Sequence, residues 1–316
     1  MLQEFADWAS YSLFGLAKDS QTGAAVNFFI YDSIKVTLML VIIVFLVGIV
    51  RTFITPEKVK KLLGGRGEGV GNVFAALLGV PTPLCSCSAV PLFIGFVEAG
   101  VPLGITFSFL IASPLINEVA ATMLFAMFGW QIAALYIISG LIIAILAGVV
   151  IGRLRLENEV EDFVYKIKAK KATETSMDWK QRTEFGISES KSITLKVLPY
   201  LLLGIAIGGL IHGYAPADSL AAIAGKNNPL AVPIAVLIGI PLYSNAAGMV
   251  PIVGVLISKG MATGTALAFM MSVIGLSLPE MIILRKVLKP KLLAVFVLVL
   301  FVSFVATGYL FNIVLG

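Results

Sequence analysis

Residues 69 to 152 carry only two acidic or basic side chains, Glu98 and Glu118, in a long apolar stretch that Gly, Pro and Ser interrupt. A soluble domain has about a quarter of its residues charged. The whole chain of 316 residues has 13% charged and 59% hydrophobic residues. This composition excludes a soluble globular protein, and the continuous apolar runs disfavour a β-barrel, whose strands alternate. The sequence therefore predicts an all-α polytopic membrane protein.

The chain lacks the residues that several other classes of protein require. Two cysteines cannot form a disulfide scaffold, and the single His212 excludes a multi-histidine metal centre. The net charge of +5 lies on segments beside apolar runs, where it sets membrane orientation, so we expect no nucleic-acid partner. No G-x-x-x-x-G-K-[ST] motif is present, so the chain has no ATPase of its own, and we expect no cofactor.

Apolar runs divide the chain into simple and broken crossings. The simple ones are residues 36–50, 131–151, 197–211 and 292–314, close to the roughly 20 residues that one crossing needs. Two regions between them, 69–129 and 227–284, are interrupted by Gly, Pro, Ser and Asn. We expect the first to form a re-entrant hairpin over residues 69–99 and a broken crossing over residues 102–128, and the second to mirror it. This predicts six full spans and two hairpins; eight crossings with parallel halves is the alternative.

The two halves of the chain resemble each other when one is shifted by 160 residues. The matched residues are mostly Gly and Pro, which fix backbone shape. Among them, Gly79, Pro81, Gly100, Gly104 and Phe109 match Gly239, Pro241, Gly260, Gly264 and Phe269. Loops 51–66 and 285–291 are basic, whereas their counterparts 212–226 and 121–130 have one Lys and none. Because basic loops stay in the cytoplasm, we expect two inverted-topology repeats.

The same features divide the chain into four segments. They are an N-terminal interfacial segment at 1–28, a transmembrane repeat at 29–152, a polar cytoplasmic linker at 153–192 and a second repeat at 193–316. The first segment either lies along the membrane interface or is a frayed terminus, since its apolar residues recur at helical spacing. These residues are Leu2, Phe5, Trp8, Ala9, Leu13 and Leu16. In the linker, the stripe of Val160, Phe163, Val164 and Ile167 predicts an amphipathic helix, either simply solvated or bound to a partner.

Both cysteines stand two positions apart in a proline-rich run, Val80-Pro-Thr-Pro-Leu-Cys-Ser-Cys-Ser-Ala-Val-Pro91. Three prolines cannot support a continuous helix, and unpaired backbone at membrane depth is tolerated only against protein or a wet cavity. Transporters with inverted repeats and broken helices bind substrate at the interface of the repeats. We therefore expect a substrate site near the midplane. Its residues would be Cys85, Ser86, Cys87 and Ser88 from the first tip and Tyr243, Ser244 and Asn245 from the second.

The paired thiols indicate the chemistry of this site. Thiolates select soft, thiophilic species, whereas structural zinc needs four ligands that the chain does not offer. Cys85 and Cys87 could transiently hold a two-coordinate centre such as a trivalent organoarsenical or Hg(II). A labile Cys-x-Cys disulfide is the redox alternative, and two small buried hydrophobic residues are the structural one.

Two acids stand at near-equivalent places in the two halves. Glu118 follows Ser113-Pro-Leu-Ile-Asn117, and Glu280 follows Ser277-Leu-Pro. Ionisable groups inside spans are costly and are therefore functional candidates, so proton coupling is the natural role for Glu118 and Glu280. Helix capping is the structural alternative. Asn117 would be a polar pocket contact or would join helices.

These motifs resemble those of the ArsP-type predicted permease family. The resemblance rests on Pro83-Leu-Cys-Ser-Cys-Ser-Ala-Val-Pro91, on Gly239-Ile-Pro-Leu-Tyr-Ser-Asn-Ala-Ala-Gly248 and on Leu276-Ser-Leu-Pro-Glu280, and it covers residues 35 to 315. It implies an efflux permease of the cytoplasmic membrane for trivalent organoarsenicals or arsenite, with Cys85 and Cys87 in contact with the metalloid. A transmembrane thiol–disulfide oxidoreductase and a permease or channel for another solute, such as a sulfur compound, remain as alternatives. Partners are the substrate and the lipid bilayer, and the oligomeric state stays open.

Overall fold

The described part of the chain is helical, with one isolated β-bridge. The computed structural model describes residues 2–18, 20–51, 67–80, 86–98, 100–161, 178–214, 228–242, 244 and 246–315. Its helices are α1 Leu2–Asp7, α2 Gln21–Arg51, α3 Val70–Gly79, α4 Ser86–Glu98, α5 Leu103–Leu115, α6 Glu118–Phe128, α7 Trp130–Arg153, α8 Trp179–Tyr214, α9 Ala231–Gly239, α10 Ala246–Ser258, α11 Thr263–Gly275, α12 Leu278–Leu284 and α13 Pro290–Leu315. The π-helix Trp8–Leu13 continues α1, and Glu157–Glu159 is a 3-10 turn. The predicted all-α class is confirmed for these residues.

Several described helices are long and apolar enough to cross a bilayer. They are α7, α13 and the stretch Thr263–Leu284, which joins α11 to α12. A fourth candidate is the pair α5 and α6, which bend by 46° at a short break. Helices α7 and α13 contain two of the predicted simple spans, and the bent pair matches the predicted broken crossing. The other two simple spans lie inside α2 and α8, and the total of six spans and two hairpins stays a prediction.

The described chain forms two compact units, and each contains segments from both halves of the sequence. Unit A comprises Ile42–Ile193 and Glu280–Ser303. Unit B comprises Met1–Val41, Thr194–Pro279 and Phe304–Gly316. Helices α2, α8, α12 and α13 therefore contribute residues to both.

In unit A, α5 is the central helix, and every residue from Leu103 to Leu115 is buried. Helices α3, α4 and α7 pack on it. Helices α5 and α7 approach at Gly104 and Gly148, where a Cβ on Gly104 would lie 2.5 Å from the Gly148 carbonyl oxygen. The Asn72 amide of α3 donates to the Gly104 carbonyl oxygen at 3.0 Å and to Ser108 Oγ at 2.9 Å. Three helices thus meet at one contact between glycine backbones.

In unit B, α11 is the central helix, with residues 264–275 buried and with α9 and α10 packed on it. It approaches α13 at Gly264 and Gly308, where a Cβ on Gly264 would collide with the Gly308 carbonyl oxygen. Asn312 of α13 accepts a hydrogen bond from the Thr265 N–H at 3.2 Å and donates one to Thr265 Oγ1 at 3.1 Å. Unit B therefore also has a glycine crossing beside an asparagine.

The helices of the two halves follow the same register. Helices α10, α11, α12 and α13 each begin 160 residues after α4, α5, α6 and α7. Helices α4 and α10 are both followed by a glycine with positive φ, 77° at Gly100 and 98° at Gly260. The residue after each glycine donates its N–H, at 3.0 Å, to the carbonyl oxygen four positions before the glycine. This Schellman geometry favours glycine, which explains why these two positions match in sequence.

The start of the polar linker is bound to the loop before α13, within unit A. Val160 and Leu288 form an antiparallel β-bridge and are both fully buried. Arg285 pairs with Glu161 at 3.1 Å, and the Lys289 ammonium donates to the Asn158 carbonyl oxygen at 2.8 Å. We call residues 157–161 and 285–291 the linker bridge.

The linker bridge corrects one sequence-based expectation. Val160 was predicted to begin a helical stripe, but it is extended because its backbone pairs with Leu288. The other residues of that stripe, Phe163, Val164 and Ile167, lie outside the described residues. Helix α8 begins at Trp179, inside the predicted linker.

Candidate substrate site at the helical hairpins

Helices α3 and α4 both pack on α5 in unit A, and we call this pair hairpin A; each of its legs is too short to cross a bilayer. The legs have 10 and 13 residues, about 15 and 20 Å of helix, against a hydrocarbon core of about 30 Å. The hairpin starts beside the first turn of α5, since Asn72 bonds to Gly104. It ends at Glu98, just before α5 begins at Leu103. Both ends of hairpin A therefore lie at the same end of α5.

The first leg of hairpin A ends level with the break between α5 and α6. A Cβ on Gly79, the last residue of α3, would lie 3.0 Å from Ala112 Cβ and 3.1 Å from the Ser113 nitrogen. Helix α5 ends at Leu115, less than one turn beyond Ser113. The tip of the hairpin and the break in the crossing therefore begin side by side. Interruptions of this kind expose backbone polar groups, with which broken-helix transporters bind substrates and ions.

Asn117 determines how the break ends. Its Oδ1 accepts the Ala120 N–H at 2.7 Å, which makes it the N-cap of α6, and its Nδ2 donates to the Pro114 carbonyl oxygen at 3.3 Å. Such a cap supplies a partner for backbone groups that the end of a helix leaves unpaired. Asn117 thus holds both sides of the break, and its expected role as a substrate contact stays a prediction.

The structure describes only part of the predicted thiol site. The backbone of Ser86, Cys87 and Ser88 forms the first turn of α4. Cys85 lies outside the described residues, so the role of the thiol pair stays a prediction. Among the described residues, His, Cys, Asp and Glu form no group of three that could hold a metal ion.

Helices α9 and α10 both pack on α11 in unit B, and we call this equivalent pair hairpin B. A Cβ on Gly239 would lie 2.8 Å from Ser272 Cβ, and Ser272 Oγ donates to the Val236 carbonyl oxygen at 2.7 Å. At the other end, Tyr309 of α13 donates to the Pro229 carbonyl oxygen just before α9. Of the predicted tip residues, Ser244 is half-buried. Tyr243 and Asn245 lie outside the described residues.

The two candidate proton carriers occupy different positions on their helices. Glu118 is the first residue of α6, whereas Glu280 is the third residue of α12. The helix starts are 160 residues apart and the acids 162, so the acids are near-equivalent in sequence without sharing a position on the helix. Glu280 is only 2% exposed, and its burial agrees with a proton-carrying role, which stays a prediction.

Sequence reasoning missed two buried polar side chains of unit A, one near the break and one at the base of hairpin A. Tyr136 of α7 is fully buried, and its hydroxyl has no hydrogen-bond partner within the described part of the chain. It stands one turn from Gly140, where a Cβ would lie 2.9 Å from Ile116 Cγ1 in the break. Asn72 is the second; its signal was a lone amide in the otherwise apolar stretch of α3.

Long apolar helices, short paired helices and a crossing broken at a capped asparagine define a helical integral membrane protein. The chain belongs to the predicted permease family ArsP, whose family model matches residues 21–313. The family resemblance drawn from the sequence is therefore confirmed. Membership of a permease family indicates a transporter with a small-molecule substrate rather than an enzyme.

Curated relatives are similar over much of the chain. A UPF0718 protein of Methanocaldococcus jannaschii is 24% identical, over 90% of this chain and 94% of its own length. The UPF0718 protein YraQ of Escherichia coli is 26% identical, over 72% of this chain and 64% of its own. A Streptococcus mutans protein named as a two-component membrane permease complex subunit is 26% identical, over 58% and 60%. No solved structure matches the chain significantly.

Proposed function

We propose that this permease is a proton-coupled secondary transporter that exports a soft, thiophilic metalloid species across the cytoplasmic membrane. The substrate would be a trivalent organoarsenical or arsenite, held transiently by Cys85 and Cys87 at the tip of hairpin A. Thiolates bind such species selectively, and these are the two cysteines of the chain.

The observation that carries this proposal is the meeting of the end of α3 with the break between α5 and α6. Gly79 abuts Ser113. Gly79 stands six positions before Cys85, and Ser113 stands four positions before Asn117. A metalloid leaving the thiols would be close to the backbone groups of the break and to the acid that follows Asn117, namely Glu118. A binding group, a polar break and an acid in one neighbourhood are what proton-coupled release requires.

The arrangement of charges supports a multi-pass topology with the linker inside the cell. At one end of unit A, Arg153 pairs with Glu68 at 3.2 Å, and the linker bridge contributes further Lys and Arg residues. The other end of α7 begins with the exposed Trp130. Basic residues favour the cytoplasmic side and tryptophans the interfaces. We therefore assign the base of hairpin A to the cytoplasmic side.

Inversion of the repeats is part of the proposal, and the charges of the matching loops support it. Loops 51–66 and 285–291 are basic, whereas their counterparts 212–226 and 121–130 have one Lys and none. Because basic loops favour the cytoplasmic side, loops that match in sequence would lie on opposite sides of the membrane.

The test is uptake of trivalent methylarsenite into everted vesicles under an imposed proton gradient. The vesicles come from cells that express this chain alone, because one relative is named as a complex subunit. The Cys85→Ser/Cys87→Ser variant should lose uptake, while Met271→Leu, which removes a buried sulfur from α11, should retain it. Glu280→Gln should uncouple uptake from the gradient. Full uptake by the double serine variant would refute the thiol role.

A further inference from the structure

The N-terminal helix of unit B has its apolar and polar faces reversed relative to a helix of a soluble protein. Several of its large apolar side chains are exposed: Phe5 is 50% exposed, Trp8 52% and Leu13 62%. Its inward face is small and polar, with Ala6 and Ser10 fully buried. A helix on a water-soluble protein places its large apolar residues against the core. This arrangement fits an apolar medium outside the helix.

Hydrogen bonds fix this reversed orientation. The Asn27 amide of α2 donates to Asp7 Oδ1 at 2.7 Å, and the Gln3 amide donates to Asp7 Oδ1 at 2.9 Å and to Asn27 Oδ1 at 3.1 Å. Further along, a Cβ on Gly23 of α2 would lie 3.4 Å from Tyr11 Cε1. The polar face is thus bound to the first turns of α2, and Phe5 and Trp8 are turned outward.

The face of α2 that carries this helix identifies the medium. Leu38 stands eleven residues, about three turns, after Asn27, so both residues lie on one face of α2. Leu38 is 50% exposed within the apolar run that we assign to a membrane span. The N-terminal helix therefore lies on the side of α2 that faces the lipid further along the same helix.

We propose that the residues from Leu2 to Phe14 form a membrane-interface anchor, with Phe5, Trp8 and Leu13 seated among phospholipid chains near the headgroups. The ring centroids of Phe5 and Trp8 are 6.0 Å apart, and the Lys18 ammonium lies 5.7 Å from the centre of the Tyr11 ring. Neighbouring Trp, Tyr and Lys side chains are typical of this layer. The anchor holds the start of α2 at a fixed depth, and it does so whatever the permease transports.

Quenching of Trp8 fluorescence by brominated phospholipids tests the anchor. The full chain with Trp130→Phe and Trp179→Phe, which leaves Trp8 as its single tryptophan, is reconstituted in phosphatidylcholine vesicles. Bromine placed near the headgroup end of the acyl chains should remove roughly half or more of the emission, and bromine at the chain ends should remove less. A matched protein with Trp179 alone should be quenched less, because Trp179 is the first residue of α8, whose first turns are charged.

Two outcomes would overturn the anchor, and two further variants keep the test decisive. Trp8 emission that is unaffected by bromine at every depth would show a water-exposed helix. Quenching that disappears as protein density in the vesicles rises would show that a second copy covers this face instead. If the double Phe variant fails to fold, the quenching of Trp8 is obtained instead as the difference in emission between the wild type and Trp8→Phe, which needs only one conservative substitution. Asp7→Ala with Asn27→Ala should release the helix from α2 and abolish the dependence on bromine depth.

Discussion

Units A and B each press a central helix against a neighbour through a pair of glycines, but the asparagine beside the crossing comes from different helices. In unit A it is Asn72 of α3, and in unit B it is Asn312 of α13. The position equivalent to Asn72 is Val232, which packs against Gly308, and the position equivalent to Asn312 is Gly152. The glycines therefore determine how closely the two helices approach. The asparagine that bonds to the central helix can come from either of the helices packed on it.

The two hairpins are also attached to their central helices by different side chains. In unit A, Phe93 meets Phe107 edge to face, with ring centroids 5.1 Å apart. In unit B, the equivalent residues are Val253 and Leu267, both fully buried. Edge-to-face aromatic pairs add about 0.5–1.5 kcal/mol beyond burial and prefer one geometry. The orientation of hairpin A on its central helix is therefore more strongly fixed than that of hairpin B. Hairpin A is also the one whose sequence carries the cysteines.

The largest expected effect is loss of a glycine crossing. In Gly104→Ala the new Cβ would meet the Gly148 carbonyl oxygen at 2.5 Å and Gly152 Cα at 2.8 Å, and neither backbone can rotate away. We expect a loss of about 3 kcal/mol or more in stability, seen as a lower thermal unfolding midpoint in detergent. Gly264→Ala should be equally damaging if the crossings are equivalent. Gly67→Ala, with no described atom within 4 Å of its Cβ, is the control.

Removing each asparagine should lower stability by a different amount in the two units. Asn72→Ala removes two buried bonds on α5 and a third from the Gly69 N–H at 3.1 Å, so we expect a loss of about 2–3 kcal/mol. Asn312→Ala removes two partly buried bonds to Thr265 and should cost about 1 kcal/mol. Thermal unfolding of both variants in one detergent gives the comparison. Equal losses would mean that the crossings do not depend on where the amide originates.

Two substitutions at equivalent positions should change stability by smaller amounts and in opposite directions. Tyr136 and Phe296 are equivalent positions of the two halves, both buried in unit A. Tyr136→Phe removes a buried hydroxyl with no described partner and should raise stability by up to about 1 kcal/mol. Phe296→Tyr buries a new hydroxyl and should cost about 1–2 kcal/mol. A Tyr136→Phe variant that is less stable, or that loses transport while folding normally, would show that this hydroxyl binds something.

The smallest effect is expected at the linker bridge. The side chains of Arg285 and Glu161 are 49% and 32% exposed, so water screens their attraction. Arg285→Ala should change the free energy of unfolding by less than about 1 kcal/mol, and less at high salt. Val160→Asp, by contrast, buries a charge at a fully buried position and should be far more damaging. A large salt-dependent loss in Arg285→Ala would show that charge, rather than burial, holds the bridge.

Features that depend on local sequence were predictable. The spans at 131–151 and 292–314 and the broken crossing at 102–128 follow from uncharged runs and from breakers such as Pro114, because each is decided within about 20 residues. The matching of Gly100 with Gly260 was also visible, since a left-handed turn after a helix tolerates few other residues. The family followed from the motifs at the two hairpin tips.

Contacts between distant residues were not predictable in the same way. The Asn72–Gly104 bond depends on which neighbouring helix the Asn72 amide reaches, and the sequence of α3 does not reveal that helix. The pairing of Val160 with Leu288 joins residues far apart in sequence and leaves no periodic pattern. Local reasoning assigned Val160 to a helix for that reason. Where the thiols and acids stand relative to the substrate remains a prediction of the proposed function.

The interleaving of the units sets an order for biosynthesis. Unit A needs Glu280–Ser303 to complete it, and Phe107 must await Phe296, its ring partner at 5.6 Å. At roughly 5–20 residues per second the ribosome takes on the order of 10–40 s to make the intervening 190 or so residues. During that time hairpin A is in the membrane without the segment that closes its unit. Insertion factors and quality control therefore encounter a first half that cannot finish folding until α13 emerges.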